Sequence, residues 1–127
     1  MSRKKRVYIA GALNAHATQY IQNLHRMIKW ADQVERLGCA VYVPGIDFLR
    51  GLVHGTWDYE RYFDSNQSWL EVSDAMFLVP EWESSRGVSR EIVLARKRGI
   101  PLFMRISDLK TWLREGEENE RTDNSKH

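Results

Sequence analysis

The residues best placed to do chemistry stand close together in the stretch 82-WESSRGVSREIVLARKRG-99. Ser84, Ser85 and Gly87 form a small polar turn, and Glu91 follows four residues after the glycine. From Val88 onward, Val88, Ile92 and Ala95 recur at helical spacing, Leu94 widens the stripe, and Gly99 ends the run. Glu91 then lies one helical turn beyond Gly87, on the same face as the loop before it. Such a turn suits an anion. Backbone N–H groups at a helix start point outward, glycine permits close approach, and hydroxyls add donors. The same residues also suit an ordinary helix cap, for which serine is a preferred residue.

Alternating elements must position this turn. Residues 6–13 (RVYIAGAL) make a first apolar, β-rich strand. Tyr20, Ile21, Leu24, Met27, Ile28, Ala31, Val34 and Leu37 then mark a helix of about five turns, closed by Gly38. Residues 39–43 (CAVYV) predict a second strand, stopped by Pro44-Gly45, and a loop follows over 46–57. Loops of this length in a compact domain usually serve function or motion. A helix is expected over 59–72 with Tyr62, Phe63, Trp69 and Leu70 inward, then a third strand over 75–79. A fourth strand is expected over 100–106, and Ser107 can cap a short helix over 108–114.

This order predicts a single α/β domain over residues 1–114, a sandwich built on a mainly parallel sheet of four or five strands. The polar residues 115–127 hold no aliphatic side chain and are expected to be disordered. Ligands of such sheets bind outside the carboxyl ends of the strands. That rule selects residues 11–17, 44–57 and 80–87, so Glu91 falls near the ligand edge.

Composition narrows the classes. A formal net charge of +2 gives no strong nucleic-acid signal. The single cysteine, Cys39, excludes an internal disulfide, fits a reducing compartment and reads as a buried thiol. No apolar run reaches the roughly 18 residues of a membrane span. The basic residues 2–6 lead straight into a strand, so no signal peptide is expected, and the location expected is cytoplasmic. No dinucleotide fingerprint, phosphate-binding P-loop or serine-hydrolase elbow is present. The four histidines are scattered, so neither a metal nor a cofactor is expected.

The order YIAGAL, then WLEVSDAMFLV, then PEWESSRGVSREIVLARKRGIP resembles the nucleoside 2-deoxyribosyltransferase superfamily, especially its small phage- and bacteria-type members. The resemblance runs from Val7 to Phe103 and is densest over 73–101, in the pattern S-x-G-V-x-x-E-I-x-x-A-x-x-x-G-I-P. It implies a flavodoxin-like (Rossmann-like) three-layer sandwich, homodimers or higher homo-oligomers, and cleavage or exchange of the N-glycosidic bond of a (deoxy)nucleoside or nucleotide. By motif, Glu91 would be the nucleophile on the anomeric carbon. Ser85 and Gly87 would lie against the sugar or its 5′ substituent. Tyr8, Gly11, Ala12 and Asn14 would form the opposite wall, and Asp47 is a further substrate-binding candidate in the loop after the second strand. The chemistry is consistent with this: a carboxylate stabilises an oxocarbenium-like state and can trap it. At a helix start Glu91 is expected to keep the low pKa of an anionic nucleophile.

Two departures stand out. The superfamily carries a catalytic aspartate eight residues before the position matching Asp74, and here that position is Asn66. An amide orients by hydrogen bonds but holds no titrating proton. Asp64 is the nearby carboxylate, two residues away on another helix face. Asp74 itself is expected to tie down the start of the third strand. In the first-strand turn, Ala12 and Asn14 stand where nucleotide-hydrolysing members place a serine and a basic side chain. The alternative to an enzyme is therefore a catalytically silent sensor of the same fold that binds a nucleotide.

Overall fold

A computed structural model describes residues 3–13, 17–46, 53 and 59–125. Four short strands, β1 (Arg6–Ala10), β2 (Ala40–Tyr42), β3 (Ala75–Leu78) and β4 (Leu102–Phe103), pair in the order β2-β1-β3-β4. All three pairings are parallel. The connecting helices are α1 (Ala17–Glu35), α2 (Tyr59–Glu71), α3 (Arg86–Lys97) and α4 (Ile106–Ser125), with a single 3-10 turn, Trp82–Ser84, before α3. This is the α/β, flavodoxin-like arrangement, in which the chain leaves β1 toward β2 on one side and returns to β3 on the other.

Alternation along β1 divides the core into two. Val7 and Ile9 face α1 and α4, packing with Met27, Ala31, Val34, Phe77 and Leu109. Tyr8 and Ala10 face α2 and α3, packing with Leu70, Met76, Leu78, Val88 and Ile92. A central strand buried on both faces must be apolar throughout, and Val7 to Ala10 are essentially inaccessible. Gly38 closes the turn after α1 with φ 98°, a left-handed conformation that a side chain would resist.

Several boundaries differ from the sequence expectation. β4 covers two residues instead of seven. Before it, Pro101 has no N–H to donate and joins the sheet only through its carbonyl, which accepts from Met76 N at 2.9 Å. After it, only Leu102 and Phe103 pair with β3 before the last helix begins at Ile106. The last helix starts at Ile106, so Ser107 lies inside it and does not cap it. Its carbonyl instead accepts from Thr111 Oγ1 at 3.0 Å. The helix then runs to Ser125, through the segment expected to be disordered. Past Leu113 it has no apolar stripe, but Arg114/Glu118 and Glu117/Arg121 sit at the i,i+4 spacing that supports a solvated helix.

Asp74 does tie down the strand edge. Its carboxylate accepts both Arg3 guanidinium N–H groups at 2.7 and 3.0 Å and the Arg6 backbone N–H at 2.7 Å. Burial works to raise its pKa, but these donors outweigh burial and hold it below the usual carboxylate range. The N-terminal basic run is thus partly engaged, not merely solvated. Cys39 is buried, its Sγ donates to Val34 O at 3.1 Å, and burial raises its pKa, as an inert thiol requires.

Candidate active site

β1 and β3 both end at the point where the chain's winding reverses, and a cavity of about 180 Å³ opens there. Gly11 forms its edge directly after β1, Pro44 and Gly45 close it beyond β2, and Ser85, Gly87 and Glu91 come from the start of α3. α2 supplies Tyr62, Phe63 and Asn66, which recur at i, i+1 and i+4 and so share one helix face. A Cβ on Gly11 would lie 3.1 Å from both Met27 Cε and Val79 Cβ, so the chain passes too close to its neighbours for a comfortable side chain.

Ser85 is the N-cap of α3. Its backbone is extended and its Oγ accepts from Val88 N at 3.2 Å. Arg86 and Gly87 are therefore the first two helical residues, and their N–H groups have no acceptor within the helix. The turn before it is held from outside: Glu81 adopts a left-handed backbone, φ 76°, and its carboxylate accepts from Arg26 at 2.6 Å. α2 is pinned to α3 by Arg90, which donates to Glu60 at 2.9 Å and lies 3.7 Å above the Phe63 ring.

Glu91 departs from its expected electrostatics. Because α3 begins at Arg86, it is the sixth helical residue and lies beyond the first turn, where the dipole acts. Burial pushes its carboxyl up to about 7, while hydrogen bonding with the Tyr8 side chain works in the opposite direction. That interaction does not satisfy Oε2, which is buried without a hydrogen-bond partner among the described residues. The low pKa expected from the helix start is thus overturned by desolvation. Near neutral pH this carboxyl is poised between acid and carboxylate.

Of the sequence candidates, Gly11, Asn66, Ser85, Gly87 and Glu91 line the one cavity, and Tyr8 lies buried in the strand beneath it. Asp64 does not join them. It is exposed on α2, two residues and about 200° of helix from Asn66. Ala12 lines a neighbouring, more polar cavity of about 460 Å³ with Gln19, Asn23, Ser84 and Arg86, and Ser85 is common to both. Asn14 and Asp47 lie outside the described residues, as does most of the loop between β2 and α2. No group of acidic, histidine and cysteine side chains able to hold a metal ion occurs among the described residues.

Residues 5–104 match the family model of DUF4406, a domain of unknown function. The chain belongs to this family. No curated protein matches it. The matched span begins just before β1 and ends just after β4, so it contains every residue of the cavity and leaves out α4.

Tyr42 was not legible as a site residue. Parallel pairing sets it beside Tyr8, with ring centroids 5.6 Å apart, and its hydroxyl donates to Asn66 Oδ1 at 3.2 Å. Only the strand register brings these residues together. Among the described residues, no helix is long and apolar enough to cross a membrane.

Proposed function

We propose that this protein cleaves or transfers the N-glycosidic bond of a (deoxy)nucleoside or nucleotide, with Glu91 as the nucleophile. One observation carries the reading. A carboxyl with a buried oxygen that has no hydrogen-bond partner among the described residues lines a partly open, aromatic-walled cavity at the point where α/β sheets of this topology hold ligands. Positive charge developing on an anomeric carbon would meet that carboxylate in a poorly solvated setting, where their attraction is strongest. The cavity has room for a pentose-sized group, with Gly11 and Gly87 permitting close backbone approach and Ser85 adding a hydroxyl. The resemblance of the 73–101 block to the nucleoside 2-deoxyribosyltransferase superfamily points the same way.

In this reading Glu91 reacts as the anion, so the rate rises with pH through about 7 and then levels. The protein acts in the cytoplasm as a homo-oligomer. The exposed Trp69 on α2, Val72 just beyond it and Val93 on α3 support the second point. The test is incubation with a panel of ribo- and deoxyribonucleosides and their monophosphates, with released base read by chromatography. Glu91→Gln should abolish release that the wild type shows. Equal, null release from both proteins across the panel would refute the assignment.

The raised pKa also supports a second reading, a sensor without turnover. A neutral Glu91 would donate a hydrogen bond to a bound nucleotide instead of attacking it. Ligand-induced thermal stabilisation with no product distinguishes this reading, since a ligand at 100 times its Kd adds about 2.7 kcal/mol.

A further inference from the structure

A hydrogen bond from Tyr42 orients the Asn66 amide, which shares the cavity with Glu91. Tyr42 stacks on Trp69, with centroids 5.4 Å apart and ring planes 22° apart, and Tyr8 packs nearby against the same phenol ring. Asn66 and Trp69 are three residues apart on α2, so the ring that stacks on one reaches the other. Its hydroxyl donates to Asn66 Oδ1 at 3.2 Å. With that oxygen engaged, Asn66 has Nδ2 left, a group with two N–H donors and no acceptor among the described residues. Asn66 and Glu91 line the same cavity from two neighbouring helices, α2 and α3.

The other titratable groups of the cavity wall are phenols. Tyr20 donates to Gly45 O at 3.1 Å and burial raises its pKa, which makes it a poor acid. Tyr62 lies on the Asn66 face of α2. Among the described residues, Glu91 is the one carboxyl of this wall. A carboxylate engaged with the sugar carbon cannot also protonate the departing base.

We propose that Asn66, oriented by Tyr42, donates a hydrogen bond from Nδ2 to the departing base, so that the base leaves unprotonated and the site selects nucleosides with good anionic leaving groups. The substrate class is then a nucleoside whose base carries a carbonyl oxygen or unprotonated ring nitrogen beside the glycosidic nitrogen and forms a stable anion. The inference rests on the nucleophilic role of Glu91 proposed above. In the step, a Glu91 carboxylate oxygen bonds to the anomeric carbon as the carbon–nitrogen bond breaks. The bonding pair leaves on the base nitrogen, and Asn66 holds the anion. The base then takes a proton from water. The resulting hydroxide cleaves the glycosyl ester, giving free sugar and restoring the carboxylate. Asn66 is the specificity residue, and Tyr42 positions it.

The experiment measures kcat/KM for two series of nucleosides, as ribosides and deoxyribosides. One series is uracil bearing 5-nitro, 5-fluoro, hydrogen or 5-methyl, and the other is 6-chloropurine, hypoxanthine and adenine. Wild type, Asn66→Ala, Asn66→Asp, Tyr42→Phe and Glu91→Gln are compared, with thermal melts establishing that each variant is folded. The expected result is a steep fall in wild-type rate as the base becomes less acidic. Asn66→Ala should lose roughly 10- to 100-fold, the range for a hydrogen bond to a charged group, and lose least on the most acidic base. Tyr42→Phe keeps the ring stack and should lose about 3- to 10-fold with the same trend. Asn66→Asp, which can carry a proton, should flatten the dependence.

Tyr62→Phe is measured on the same two series, and a shallow wild-type dependence that steepens in this variant would give the proton to Tyr62 and overturn the proposal. Base release that Glu91→Gln abolishes but Asn66→Ala leaves unchanged would overturn it while sparing the role of Glu91. Release from no nucleoside in either series would remove both.

Discussion

Replacing Glu91 by Gln should stabilise the protein at neutral and alkaline pH, and the size of the effect follows from burial. The carboxyl moves from an ordinary 4.5 to about 7 on folding. A shift of about 2.5 units at about 1.4 kcal/mol each amounts to roughly 3 kcal/mol. The folded value is raised, so between these pH values the folded state binds more protons than the unfolded chain. Stability is then fully present below about pH 4.5, falls as pH rises toward about 7, and stays at the lower level above that. Gln keeps the shape and the hydrogen-bonding capacity toward Tyr8 but never ionises, so the variant lacks this loss. The assay is urea unfolding of both proteins at pH 4.5, 6 and 8, taking the difference at each pH so that other titrating groups cancel. The gain from Glu91→Gln should grow by roughly 3 kcal/mol across that range, a sizeable part of the 5–15 kcal/mol typical of a domain. Equal m-values would show that unfolding exposes the same surface in both. A difference that stays constant with pH, or a variant that becomes the less stable protein at pH 8, would refute the reasoning.

Tyr8→Phe removes the interaction that lowers the Glu91 pKa, so the pH window of stability loss should move upward, read by the same titration. Asp74→Ala leaves the Arg6 N–H and the Arg3 guanidinium without their acceptor and should cost about 1–2 kcal/mol near neutral pH, the partial exposure of the pair limiting the effect. Because the folded Asp74 pKa is depressed, that difference should be present above about pH 4 and vanish as pH falls through the folded value, as acid-range melts would show. Ser85→Ala removes the α3 cap and should cost about 1 kcal/mol in chemical unfolding. Gly11→Ala places a methyl against Met27 and Val79 at the cavity edge. It should cost about 1–3 kcal/mol by overpacking, and calorimetry should show weaker binding of any nucleoside the wild type takes up.

Which features were legible in the sequence depends on what holds them. The strands announce themselves through buried apolar runs, and Gly38 and Gly99 mark helix ends because the chain turns left-handed there. The far half of α4 is supported by the spacing of Glu and Arg, a weaker signal than an apolar stripe, so it reads as tail. β4 reads too long because its apolar residues continue past the two that pair with β3. Glu91 could be placed at the ligand edge, but α3 starts two residues before its first apolar position. That offset moves Glu91 out of the first turn, and burial, which the sequence does not display, raises its pKa. Tyr42 gave no signal at all, since its role depends on which strand residue it stands beside.

The same arrangement would account for both the instability at this site and the chemistry proposed for it. An ionised Glu91 is disfavoured because burial desolvates it, in a cavity walled by Tyr62, Phe63 and two glycines, and because Oε2 has no donor among the described residues. A ligand carrying partial positive charge at its anomeric carbon would stabilise the carboxylate that burial disfavours, and most strongly when that charge is greatest. The gain would therefore be larger in the transition state than in the bound ground state, which is the condition for faster reaction. Replacing Glu91 by Gln, or opening the cavity to water, would relieve the cost and forfeit that difference together. In the proposed step Asn66 would act by the same logic on the departing base. A fixed N–H donor gains most as negative charge accumulates on the base, and it needs no titration to do so.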